Sequence, residues 1–243
     1  MKQFIIIVSA LLLFLTGCKK KGCFESSGDT TSSARTAGPF NEIDAYDNIN
    51  IVLRQDTTEA ITIEAGSNLQ PYIKADIENN VLTFHNNSGC SWLKGPSENS
   101  TAYVSVKSLA RINLYGSGHI SAVNTINSSN LTLEAFQAPS TVNMNLHVYL
   151  ATFVIHDESA EYILSGDVGY ATVYCGQKGT IDLRDLKAQN MIVDQRSVRD
   201  LYIWVTDQLT VKVQYKGNVY YKNSPSYPIN YQHFNDGRLL PLQ

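Results

Sequence analysis

Charge of either sign is scarce in this chain. Only 17% of its 243 residues are Asp, Glu, Lys or Arg, and the formal net charge is −3. No basic field exists to recruit nucleic acid or another polyanion. Cysteine is equally sparse, four residues with no pair at metal-ligand spacing, so a cysteine-built metal centre is excluded. No segment has the length of a comfortable transmembrane helix: the longest apolar run, Phe4 to Leu15, is broken only by Ser9 and is too short. No stretch is strongly amphipathic with helical period, although Leu69 to Ala75 has room for a turn or two. There is no Gly-x-Ser-x-Gly elbow and no phosphate-cradling glycine loop, which removes the nucleophile a hydrolase needs and the loop a nucleotide needs.

What the chain does have is a repeat with a period near twenty residues, from Ile112 to Tyr221. Apolar pairs spaced by two open each unit: Ile112 and Leu114, Leu131 and Leu133, Phe153 and Ile155, Val173 and Cys175, Met191 and Val193, Leu209 and Val211. Spacing by two places both side chains on one face of a strand. A polar turn follows each pair, among them Gly116-Ser117-Gly118, Asp157 to Ser159, Gly176 to Gly179 and Lys216-Gly217-Asn218, and then a second apolar pair such as Val142 and Met144 or Leu201 and Ile203. Such a unit cannot bury its apolar face alone, so neighbouring units must stack on one continuous core. The pattern predicts an all-β fold, a single-stranded β-solenoid with coils of about twenty residues. Residues 39–228 are expected to form one such domain. Its first half shows short alternating runs separated by Gly, Asn, Asp and Pro, with Asn79-Asn80 suited to a tight hairpin. Residues 229–243 are expected to cap the last coil, since Pro225, Pro228 and Pro241 argue against a regular continuation of the ladder.

The N-terminus reads as an export signal. Lys2, the apolar run and then Leu15-Thr16-Gly17-Cys18 resemble a bacterial lipobox, which predicts a signal peptide over 1–17 and acylation of Cys18. More than one acyl chain, at about 0.8 kcal/mol per buried methylene, makes such an anchor stable. Residues 18–38 are polar and rich in Ser, Thr and Gly, as in a flexible tether. By resemblance to Gram-negative lipoprotein sorting, Lys19 directs the chain to the outer membrane. Lys19-Lys20-Lys21 has no acidic pair of the kind that marks surface export, which favours the periplasmic face. Of the remaining cysteines, Cys23 and Cys90 are left either bridged or free, and Cys175 falls at an inward position of its repeat.

Four features together are similar to the head GIN domain family, bacterial adhesin-like proteins earlier known as a domain of unknown function. They are Gly38-Pro39-Phe40-Asn41-Glu42-Ile43; the segment from Asn68-Leu69 to Val81-Leu82-Thr83-Phe84; the turn Gly116-Ser117-Gly118 after Ile112-Asn113-Leu114; and the closing Val211 to Tyr221 hairpin before Pro225. The resemblance covers roughly residues 36–228 and implies a β-solenoid, commonly exported or lipid-anchored, without an established enzymatic activity. The chain departs from it by keeping the Gly-Ser-Gly turn once rather than in successive coils.

The five histidines, His85, His119, His147, His156 and His233, read as solvated turn residues; His119 and His156 are too far apart along the stack for one metal. Asp157, Glu158, Asp182, Asp185, Asp194 and Asp200, with Arg184, Arg196 and Arg199, could line a polysaccharide-cleaving sheet face, but nothing in their spacing sets a general acid against a base. No catalytic, cofactor or metal residue is assigned. The aromatics of consecutive coils, Tyr162, Tyr174, Tyr202, Trp204 and Tyr215, are the expected ligand face, suited to stacking on glycan or on an envelope protein. The expectation is therefore a non-catalytic, adhesin-like binding or scaffolding module held to the membrane by its lipid. The alternatives are a β-helix carbohydrate-active enzyme and a homo-oligomeric envelope protein assembled through a flat β-face.

Overall fold

Alternation of inward and outward side chains is carried through seventeen strands in a computed structural model that describes residues 27–88, 100–136, 139–156 and 159–242. In chain order they are β1 (Thr30–Arg35), β2 (Glu42–Ala45), β3 (Asn50–Gln55), β4 (Ala60–Gly66), β5 (Ile73–Glu78), β6 (Val81–Asn86), β7 (Thr101–Val106), β8 (Arg111–Leu114), β9 (His119–Ala122), β10 (Ile126–Ala135), β11 (Thr141–Ile155), β12 (Glu161–Cys175), β13 (Thr180–Gln195), β14 (Leu201–Val213), β15 (Val219–Lys222), β16 (Asn230–His233) and β17 (Leu239–Pro241). The only helical element among the described residues is a single 3₁₀ turn, Gln70–Tyr72. The chain is a β-solenoid. The expected signal peptide, Cys18, Cys23, Cys90, Asp157 and Glu158 lie outside the described residues; the expected tether is shorter than 18–38, because Thr30–Arg35 pair with β4 as β1.

From β8 onward the chain stacks coil on coil in parallel. β10 pairs with β8 and β11, β11 with β9 and β12, β12 with β13, and β13 with β14. The two apolar pairs of each repeat are joined into one long bent strand. In β11, Val142, Met144, Leu146 and Val148 point inward; the alternation then slips at Tyr149 and Leu150, both exposed, and resumes inward at Ala151, Phe153 and Ile155. The same slip recurs at Ser129-Asn130 and at Gln189-Asn190, where two adjacent residues lack an inward side chain. A strand that turns outward for two residues bends, and the stacked bends make a corner. Coils are not all one length: Val173 pairs with Val193, twenty residues on, whereas Met191 pairs with Leu209, eighteen on, because β14 spans Tyr202 to Gln208 opposite Asp182 to Asn190 of β13, two residues fewer, taken up in register shifts.

The N-terminal half is all-β but does not stack in chain order. The coil containing β2 and β3 lies between the coil of β6 and β7 and the coil of β8 and β9. The open end is closed by antiparallel strands: β4 on β7, β1 on β4, and β5 on β6 through the Asn79-Asn80 hairpin, whose residues both adopt positive φ. Lys74, Asp76 and Glu78 lie along the outermost strand β5, charge that blunts an edge against further pairing.

At the other end the prolines do not stop the ladder. β16 pairs in parallel with β14, and β17 with β15, so residues 229–242 supply further rungs of the stack, with Pro241 opposite Tyr221. An outermost strand tolerates proline because only one of its two edges needs donors.

The core runs the length of the stack, from Phe40 and Ile43 to Val213 and Val219, and is almost entirely aliphatic. Cys175 is buried within it, as its inward position predicts, and burial pushes its thiol up to about 12.

Candidate functional site

The five aromatics expected to share a ligand face do not share one. Tyr162 is fully buried; it is a core residue whose hydroxyl donates to the Val154 carbonyl at 3.0 Å, and burial drives its pKa well above the usual tyrosine value. Two residues on, the inward phase continues at Leu164, so Tyr162 takes the place that Ile181 takes in the next coil. Tyr174 lies on the strand segment before the polar turn, with the Arg196 guanidinium 5.2 Å from its ring centroid. Tyr202 and Trp204 lie on the segment after the turn. There Arg184 stands 4.1 Å from the Tyr202 centroid, Tyr220 stacks on Tyr202 at 5.3 Å, and Lys222 covers Trp204 at 4.2 Å. Tyr215 is exposed at the turn itself. Only Tyr202 and Trp204 come together, and the rings there already face side chains of this chain.

A different aromatic array occupies the corner after the polar-turn strands. His85, Tyr46, Tyr115, Phe136 and His156 follow the last inward residues of β6, β2, β8, β10 and β11, and their rings stack in that order. Centroid separations are 4.6, 4.4, 4.7 and 5.1 Å, the rung spacing of a sheet. His156 accepts or donates a 2.8 Å contact with Glu134, which also meets Arg111 at 3.3 Å, and His85 lies 3.5 Å from Asp47. His85 and His156 are thus ladder members rather than merely solvated turn residues. Ring faces turned on one another are withdrawn from any ligand, so this ladder binds coil to coil. The sequence signal for it was one aromatic or His directly after the inward residues of five coils, a pattern that stops at Gly176, Arg196 and Gln214.

The opposite corner, where the alternation slips, carries an open groove of about 750 Å³ running across β10 to β14. Parallel register lines up Asn127, His147, Asp167 and Lys187 on its wall, one per coil. His147 Nδ1 meets Asp167 at 2.8 Å, and Gln189 donates to Asp207 at 3.1 Å. Tyr149 stands at the rim, 61% exposed, and its ring meets Tyr170 edge-on at 5.7 Å. Gly169 lies beneath that ring: a Cβ there would come within 3.0 Å of Tyr149 Cδ2. The groove residues were missed as a set because none is apolar-periodic; the detectable signal was the recurring pair of outward residues at the slip.

Asp182 and Asp194 do not face each other. Each accepts hydrogen bonds from the arginine two residues on, Arg184 at 2.8 Å and Arg196 at 2.9 Å. Among the described residues no group of three or more His, Cys, Asp or Glu is placed to hold a metal ion.

Solved structures with the same fold include a putative adhesin from Bacteroides fragilis, with a TM-score of 0.79 at 18% identity, covering 88% of this chain and 97% of that one. A putative adhesin from Parabacteroides distasonis aligns with a TM-score of 0.67 at 18% identity, covering 88% and 98% of the two chains. A putative lipid binding protein from the same species aligns at 0.65 and 15% identity, covering 89% and 98%. Identities this low establish a common fold and nothing finer. Among curated proteins none matches the sequence. The family model described as putative auto-transporter adhesin, head GIN domain, spans residues 39–225, and with the stacked coils in place the chain belongs to that family.

Proposed function

We propose that this protein is an exported, lipid-anchored, non-catalytic binding module of the cell envelope that holds an extended ligand in the corner groove across β10 to β14. The observation that carries the reading is the groove itself: one polar side chain per coil, in register, beside an exposed tyrosine. A solenoid repeats its surface at the rung spacing, so it suits a ligand that is itself extended and repetitive. Membership in an adhesin-like family favours a place in the envelope or outside the cell. The lipobox-like Leu15-Thr16-Gly17-Cys18 supplies the anchor, and the shorter polar stretch between it and β1 tethers the solenoid to the membrane.

A non-catalytic role is supported by where the carboxylates go. Asp182 and Asp194 accept from the arginines two residues on, Asp194 also from Gln214, and Asp207 accepts from Gln189. Acid and base work on a glycosidic bond calls for two carboxyl groups set across a cleft at a defined separation.

The test is in two parts. Cells expressing the chain are fed a clickable palmitate analogue; label is expected on the wild type and lost in Cys18→Ser, and label retained in that variant overturns the anchor. Purified protein from Lys19 onward is then incubated with isolated envelope and its polysaccharides. Retention without release of cleaved products is expected, whereas products that appear over time overturn the non-catalytic reading.

A further inference from the structure

The groove's chemistry narrows its ligand, and we infer that it binds a linear, uncharged hexose polysaccharide, with Tyr149 as the stacking platform and Gly169 as the residue that lets that platform lie flat. The inference rests on the binding reading above.

Charge comes first. Asp167 and Asp207 carry −2, Lys187 carries +1, and His147 adds 0 or +1, so the lining sums to −1 or 0. Anionic polymers such as uronans, teichoic-type phosphate chains and nucleic acid need an excess of cations, and the lining has none. The Asn127 and Gln189 amide nitrogens are held by Gln55, Thr125 and Asp207, and one Asp167 oxygen by His147, so what these planar groups turn to a ligand is chiefly acceptor oxygen: Asn127 Oδ1, Gln189 Oε1 and Asp167 Oδ1. Lys187 makes no hydrogen bond or ion pair among the described residues and is exposed, leaving its ammonium to donate outward. Acceptor oxygens beside one ammonium donor along an open channel match a chain of hydroxyls, which both donate and accept.

The aromatic comes second. The other aromatic clusters described above are already engaged: the corner ladder stacks on itself, Tyr202 lies between Arg184 and Tyr220, and Trp204 lies under Lys222; Tyr72, Tyr103 and Tyr227 are exposed but do not line the groove. Tyr149 meets only the edge of Tyr170. It sits over Gly169 because no larger residue fits: the position of a Cβ there is 2.8 Å from the Tyr149 carbonyl oxygen as well as 3.0 Å from its ring. A glycine under an exposed tyrosine fixes the ring against the backbone of the next coil. A sugar ring with axial hydrogens then has an apolar surface to lie on, flanked by hydrogen-bonding amides and carboxylates.

Binding is measured by calorimetry on protein from Lys19 onward. Linear hexasaccharides and disaccharides of glucose, mannose and galactose are compared with hexauronates, and wild type with Tyr149→Ala, Tyr149→Phe, Gly169→Ala and Trp204→Ala. At least one neutral hexasaccharide is expected to bind, about tenfold tighter than its disaccharide because it reaches more coils. Tyr149→Ala is expected to weaken it about tenfold, Gly169→Ala comparably, and Tyr149→Phe and Trp204→Ala little. Melting temperatures of all variants are recorded, and Tyr149→Phe separates loss of the ring from loss of the fold. Tighter binding of hexauronates overturns the inference, as does neutral-sugar binding indifferent to Tyr149→Ala. If no oligosaccharide binds while the protein is still retained by isolated envelope, the glycan assignment falls and the binding module stands; if it is retained by neither, both fall.

Discussion

Tyr46 and Tyr115 come from coils separated in sequence by β4 to β7, yet their rings stack with centroids 4.4 Å apart and planes within 9°. The contact exists because β2 and β8 pair in parallel with Ala45 opposite Leu114, which puts the next residue of each strand at the same corner. Tyr115 is also stacked on Phe136, so it is gripped on both faces. Burial, with Asp44 nearby, raises its pKa.

Tyr115→Ala should therefore remove two stacked pairs at once. At about 0.5–1.5 kcal/mol per pair, the expected loss is about 1–3 kcal/mol, read as a lower midpoint in urea. Tyr115→Phe should keep most of it. Envelope retention should be unaffected in both, because the ladder's corner is not the groove; a stable variant that no longer binds would assign the ligand to the ladder instead.

Gly116→Ala should be among the most damaging single substitutions. A Cβ at Gly116 would overlap the carbonyl oxygen of Asp47, and one at Gly118 would overlap that of Ile49 in the neighbouring coil. The Gly-Ser-Gly turn thus belongs where two coil backbones touch. Overpacking of this kind costs about 1–3 kcal/mol, and more when the obstacle is backbone. Gly38→Ala, where a Cβ meets nothing, is the matched control and should be silent in the same thermal melt.

Alkaline pH should destabilise the fold before it touches the surface. Cys175 ionises near 9 when exposed and at about 12 in the core, and Tyr162 is shifted upward from 10 in the same way by burial. Above the unfolded values the native state holds protons that the unfolded chain releases, so stability is full below pH 9 and falls as pH rises toward 12. At about 1.4 kcal/mol per pH unit for each group, the loss from Cys175 alone between pH 9 and 11 is about 2–3 kcal/mol. Urea unfolding at pH 8, 9.5 and 11 measures it. Cys175→Ala should flatten the slope between pH 9 and 10, and an unchanged slope would place the alkaline sensitivity elsewhere.

Trp204→Ala tests the expected ligand face directly. Its ring lies under Lys222, and its indole nitrogen is buried without a hydrogen-bond partner. The variant should lose about 1–2 kcal/mol of stability through lost packing and the cation–π contact, with envelope binding intact. Trp204→Phe, which deletes the orphan N–H and keeps a ring, should be nearly neutral in the same melt.

Much of this protein follows from local rules that the sequence carries openly. Alternation by two, interrupted by polar turns every eighteen to twenty-two residues, determines strands, and a repeat too thin to bury itself determines stacking; Cys175, Val142 and Phe153 point inward for no other reason. The order of the stack is a different matter. That β2 and β3 lie between coils formed later in the chain, and that the proline-bearing tail adds rungs, depends on which strand edge is left open once the others have paired, a choice made among distant segments. The same holds for the surface. Tyr162 and Tyr202 are two coils apart in the repeat, but parallel pairing sets Tyr162 opposite the inward Ile181 and Tyr202 opposite the outward Asp182, so one ring enters the core and the other lies on the wall. The groove arises likewise: Asn127, His147, Asp167 and Lys187 are unremarkable polar residues about twenty apart, and only parallel in-register pairing sets them side by side, because a ladder aligns by hydrogen bonding what the sequence merely spaces.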